Sequence, residues 1–180
     1  MKLSIKRAHA DSVRRAINYK DKKDKAALCR TKVSDYLVDL LKKAYLENRS
    51  IDMKTACSYI RKVYTDAGID DYTYGNAQKI TSMSLKYFLS WEHACYNKNL
   101  FKEAWFPVDR IMISKIKDEY GIEWRGKDSW SKCDNFESFE SFQQSVKSYI
   151  DSNYIDEHGE KLSLLVWEIY FWDPNFYKNG

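Results

Sequence analysis

Glycine and proline are scarce in this chain: six Gly and two Pro in 180 residues. All-β domains turn often and need more of both, so a sheet-built domain is disfavoured and a helical one favoured. No run of 18 apolar residues occurs, so no segment is expected to span a bilayer. The basic start, Met1 to Arg7, is not followed by the apolar stretch of a signal peptide, and a cytoplasmic location is expected. The four cysteines, Cys29, Cys57, Cys95 and Cys133, never form a CxxC pair. Free thiols are expected, with neither a disulfide framework nor a zinc site. The three histidines, His9, His93 and His158, are far apart. Phosphate-loop, dinucleotide, zincin and serine-hydrolase motifs are all missing, and no cofactor or metal is expected.

What is present is aromatic and charged. Aromatics make up 16% of the residues and the net charge is +4. Residues 1–32 carry eleven Lys or Arg against three Asp, a net +8, which leaves −4 on the rest. Such asymmetry suits a segment that meets a polyanion, although a solvated helix face reads the same way. The length fits a single compact domain spanning residues 1–180.

Apolar residues recur with a helical period along the chain. The pattern predicts helices over 4–19, from Val33 to Tyr45 with Ser34 as a cap, and from Asp52 to Ala67 with Gly68 just past the end. Further helices are predicted over 77–96, over 109–120 between Pro107 and Gly121, over 136–150, and from Leu162 to Trp172. The last is apolar nearly all round, which marks a buried centre, and it is also the best candidate for a strand. The run 20–25 reads as a polar link, 97–108 as a loop and 121–134 as irregular. The expectation is an all-α domain of six to eight helices.

One constellation carries chemistry. Gly75-Asn76-Ala77-Gln78-Lys79 sits where a turn opens a long helix, and Pro107-Val108-Asp109 opens the next, with Arg110 following. Exposed N–H groups at such a turn can hold a phosphate, and Gly75 lets the backbone approach closely. Asp109 suits a helix cap or a carboxylate at a cleft, and Lys79 a solvated helix-start lysine or a nucleophile. A lysine amine and a carboxylate brought together can do covalent chemistry at an electrophilic carbon. Trp91, Trp105, Phe106, Trp124 and Trp130 can stack a displaced base or simply fill the core.

Over residues 72–112 this arrangement resembles the helix-hairpin-helix DNA glycosylase superfamily, nearest its archaeal 8-oxoguanine glycosylase branch. There a hairpin Leu-Pro-Gly-x-Gly-x-Lys-Thr-Ala is followed by a helix and a Pro-Val-Asp motif. Gly75 lies over the first glycine, Lys79 over the lysine and Asp109 over the aspartate. The chain departs at Thr73-Tyr74, at Ala77 in place of the second glycine, and at Arg110-Ile111-Met112 after the aspartate. The resemblance implies a hydrolase of DNA repair with Lys79 and Asp109 as the catalytic pair. It also implies DNA contacts at Gly75, Asn76, Ala77, Gln78 and Arg110. For the lysine to attack as a free amine, burial or nearby cations must lower its affinity for a proton. The alternative is a small non-enzymatic helical interaction protein, of the kind phages and mobile elements encode, that binds another protein.

Overall fold

A computed structural model describes residues 2–13, 22–91, 98–154 and 161–172. Eight helices and no β-sheet are found among them: α1 (Lys2–Val13), α2 (Lys23–Leu46), α3 (Met53–Asp66), α4 (Tyr74–Trp91), α5 (Lys98–Phe101), α6 (Arg110–Tyr120), α7 (Phe136–Asn153) and α8 (Leu164–Trp172). The fold is all-α, and none of these helices is long and apolar enough to cross a membrane.

The caps follow the chemistry of their residues. Asp52 accepts the Thr55 N–H at the start of α3, and Asn135 accepts the Ser138 N–H at the start of α7. Gly68 and Gly121 end α3 and α6 in the left-handed region, with φ 76° and 68°, a conformation that costs a residue without Cβ little. The largest difference from the sequence pattern is α2. It starts inside the charged run and places Ser34 in its interior rather than at its cap. Ala26 and Cys29 extend the buried stripe of Val33, Leu37, Leu41 and Ala44 backwards at spacings of three and four, so packing carries the helix through the lysines. The predicted first helix is present as α1 up to Val13, and its stretch 14–19 lies outside the described residues, as do His93, Cys95 and His158. The loop at 97–108 contains α5, and the strand alternative for the last segment is replaced by α8.

The buried centre is α4, not α8 alone. Helices α1, α3, α7 and α8 all pack on α4, and α1 makes the most extensive contact. Ala77, Gln78, Ile80, Thr81, Ser82, Ser84 and Leu85 are all buried. The helix tolerates its small polar residues because Thr81 and Ser84 donate their hydroxyls back to the carbonyls of Ala77 and Ile80, each at 2.8 Å.

Two apolar clusters flank this axis. One gathers α1 to α4 with Leu165, Val166 and Ile169, and the other gathers Phe106, Val108, α6 and α7 with Leu164 and Trp167. Helix α8 feeds both, which is why its sequence is apolar nearly all round. Tyr74, Trp105 and Leu162 pack against both. Each fully buried large side chain of this kind stabilises by roughly 1.5–3 kcal/mol.

Candidate functional site

The site is built where the segment 104–109 crosses α4. Two buried glutamines hold that segment. Gln78 accepts the Val108 N–H on Oε1 at 3.2 Å and donates Nε2 to the Val108 carbonyl at 3.0 Å. The same Nε2 reaches the Gly75 carbonyl at 3.2 Å. Gln143 on α7 donates to the Phe106 carbonyl at 2.8 Å. Every one of these groups is away from water, where a lost partner is costly.

Asp109 then caps α6. Its Oδ1 accepts the N–H groups of Ile111 and Met112 at 2.9 and 3.0 Å. That leaves Oδ2, which accepts from Lys79 Nζ at 3.1 Å. The Lys79 side chain is only 13% exposed and that of Asp109 28%, so the pair sits at the edge of solvent. The ammonium also lies 4.7 Å from the centroid of the half-buried Trp130 ring, within cation–π range. Lysine, carboxylate and indole therefore meet at one point, from α4, the start of α6 and the irregular stretch after it.

A second ion pair, with a buried carboxylate, stands nearby. Lys86, two turns along α4 from Lys79, donates to Glu168 Oε1 of α8 at 2.6 Å. Burial pushes the Glu168 carboxyl upward, the Asp109 charge adds to the push, and Lys86 and the Trp172 indole pull it back. On α4 between the two lysines, Ser82 is buried and its hydroxyl has no hydrogen-bond partner among the described residues.

The expected phosphate turn is absent, and the reason is local. Helix α4 begins at Tyr74, so Gly75 to Gln78 are its first turn rather than a loop before it. The N–H groups there are already bonded: Tyr74 to the Asp134 carboxylate, Gly75 to the Cys133 carbonyl, and Asn76 and Ala77 to the hydroxyl and carbonyl of Thr73. Asp134 supplies the negative charge that a phosphate would bring to this helix end, and it is held by both arms of the Arg61 guanidinium. Gly75, Asn76, Ala77 and Gln78 are buried, so they offer no surface for nucleic acid. Gly75 is required for a different close approach. A Cβ at Gly75 would lie 1.8 Å from the Trp130 carbonyl oxygen. Arg110 is exposed at the start of α6, beside the pair.

Among the aromatic candidates, Phe106 is core and Trp124 packs on Phe139 and Phe142. Trp105 stacks on Phe136, and Trp130 alone of these contacts the Lys79 ammonium. The side chain of Trp91 lies outside the described residues. Reading the sequence missed Gln143 and gave Gln78 to DNA, whereas its amide holds the Val108 backbone. A signal for Gln143 was available: it falls in the apolar stripe between Phe139, Phe142 and Val146. Among the described residues no group of His, Cys, Asp and Glu side chains is arranged to hold a metal ion. No family model, curated protein or solved structure matches this chain.

Proposed function

We propose that the protein is a DNA-binding enzyme of the glycosylase type, using Lys79 as nucleophile and Asp109 as proton acceptor. One observation carries the reading: Lys79 Nζ lies 3.1 Å from Asp109 Oδ2, at a site that solvent reaches. Lysine and carboxylate come from residues thirty apart and meet within proton-transfer distance. In the step, Nζ forms a bond to C1′ of a deoxyribose while the C1′–N bond to the base breaks. The leaving base takes the electron pair. The attack requires a free amine, so Lys79 first gives its ammonium proton to Oδ2. The secondary ammonium formed on attack gives a proton to the departing base, and the Oδ2 proton passes to the ring oxygen as the C1′–O4′ bond breaks, which leaves a protonated imine on Lys79. For substrate to enter, the ion pair has to part, and Trp130 is the ring nearest to receive a displaced base. Phosphates are held by Arg110 and by exposed lysines of the basic segment such as Lys22, Lys23, Lys25 and Lys32.

Borohydride trapping on duplexes that carry damaged bases or abasic sites tests this. Wild type is expected to form a covalent adduct and Lys79→Ala none, with helicity unchanged. Asp109→Asn is expected to slow trapping by orders of magnitude while DNA binding persists, because Asn keeps the cap that Oδ1 provides. Absence of any adduct across such duplexes, with unchanged DNA affinity in both variants, would refute the assignment.

A non-enzymatic interaction protein is the second reading. It is favoured by the apolar residues that α2 turns to solvent, with Leu28 58% and Leu46 82% exposed. Under it, Lys79 and Asp109 only pin α6 to α4, and their variants lose stability alone.

A further inference from the structure

A cleft of about 400 Å³ opens beside the start of α3. Its apolar wall is Trp105 and Phe136, stacked with ring centroids 5.1 Å apart. Its rim carries the carboxylates of Asp52, Glu103 and Glu140. Asp52 is occupied as the α3 cap, and its bonds to Thr55 hold its carboxyl below the ordinary range, so it contributes charge. Glu103 and Glu140 make no ion pair among the described residues. Among the described residues one lysine lines the cleft: Lys54 lies 3.8 Å from Glu137, with its ammonium 5.6 Å from the centroid of the Phe136 ring, so the aromatic wall already meets a cation.

Within the cleft stands the observation that points to a ligand. Gln143 is fully buried and lines the cleft, and its Oε1 accepts no hydrogen bond among the described residues. Its Nε2 is committed to the Phe106 carbonyl, which fixes the amide and leaves the oxygen as an acceptor. A buried acceptor without a donor is uncommon and calls for a partner.

We propose that this cleft binds an alkylguanidinium cation. The demands of the site select it. Gln143 Oε1 needs an N–H donor, and Glu103 and Glu140 need positive charge. The Trp105–Phe136 wall favours a flat, weakly hydrated body over a compact, strongly hydrated ammonium. The volume falls within the range of small-molecule sites. This inference is independent of the chemistry assigned to Lys79 and Asp109.

The test titrates the full chain with butylguanidinium, with butylurea, which has the same shape without charge, and with acetyl-Gly-Arg-Gly-amide. Calorimetry gives affinity, and nitrogen-15 spectra follow the Trp105 indole and the Gln143 side-chain amide. Butylguanidinium is expected to move both signals and butylurea neither. Glu103→Gln and Glu140→Gln are each expected to weaken binding about three- to five-fold, as partly exposed charge contacts do, and the double variant at least ten-fold. These two residues lie on the rim, so the variants should keep the wild-type fold, which circular dichroism checks. Tighter binding of the peptide assigns the site to an arginine of a partner protein. Tighter binding of the free cation assigns it to a small molecule. Both results sustain the proposal. It is overturned if no cation shifts these signals, if butylurea binds equally well, or if a folded double variant binds butylguanidinium as wild type does.

Discussion

Replacing Gln78 by Met keeps much of the side-chain volume and removes the amide. The wild-type amide serves both polar groups of Val108, which is buried. The Gly75 carbonyl also loses a contact, but it lies in the first turn of α4 and keeps its place in the helical ladder. The variant therefore leaves two buried backbone groups without partners. Each costs about 1–3 kcal/mol, so the total is roughly 2–6 kcal/mol, a large part of the ~5–15 kcal/mol that holds an ordinary domain folded. For a chain of this size that lowers the melting temperature by about 4–24 °C. Thermal and urea unfolding followed by circular dichroism would measure it. Gln144→Met, at an exposed glutamine of α7, serves as the control and should stay within about 0.5 kcal/mol. The Val108 amide should also exchange its hydrogen much faster in the variant. A Gln78→Met protein that loses less than about 0.5 kcal/mol would show that Val108 does not depend on this amide, and the account of how Asp109 is positioned would fall.

Three other perturbations follow from the same geometry. Gly75→Ala drives a Cβ into the Trp130 carbonyl and should destabilise by about 1–3 kcal/mol or more, shifting the Trp130 indole resonance. A silent substitution would contradict the close approach. His9 is buried, and desolvation, helped by the Arg30 charge, takes it down to about 4 from 6.5. The folded state thus binds fewer protons than the unfolded chain in that window. The stabilisation, on the order of 3 kcal/mol, is present above 6.5 and lost as pH falls to about 4. Glu168, raised by burial, has the opposite sign, its contribution fading as pH rises past the ordinary carboxylate range. Unfolding midpoints at pH 4 and 7 should differ less in His9→Gln and more in Glu168→Gln. An unchanged difference in His9→Gln would refute the burial argument. If the protein binds DNA through its basic segment, Lys22, Lys23 and Lys25 all changed to Gln should flatten the salt dependence of affinity by up to about three units of log–log slope. Deleting residues 1–25 is a poorer test, because Ile5 and Ala8 of α1 are fully buried in the fold.

Helices with apolar stripes and chemical punctuation were legible in the sequence. Asp52 and Gly68 bracket α3, and Asp109 and Gly121 bracket α6, because caps act through bonds within a few residues. The start of α2 was not legible, since its charged first turn becomes helical only by the burial of Ala26 and Cys29 behind it. The centrality of α4 was hidden for a related reason. Periodicity reports an apolar face, whereas α4 buries Gln78, Thr81, Ser82 and Ser84.

The pairing of Lys79 with Asp109 shows where residue types stop informing and geometry takes over. Their separation of thirty residues is set by a helix and a loop, and the sequence pattern fixes neither where the loop returns nor at what height. The return is fixed by Gln78, which reads the N–H and the carbonyl of Val108 much as a neighbouring strand would. Once Gln78 is paired with Val108, the next residue on each segment follows. Lys79 comes one step along α4 and Asp109 one step along the loop, and their side chains meet at 3.1 Å. Shifting that register by one residue would bring Asp109 or Pro107 opposite Gln78. Proline has no N–H to give, and Asp109 could no longer turn Oδ2 toward Lys79. The buried amide is thus the element that converts two short motifs into one site.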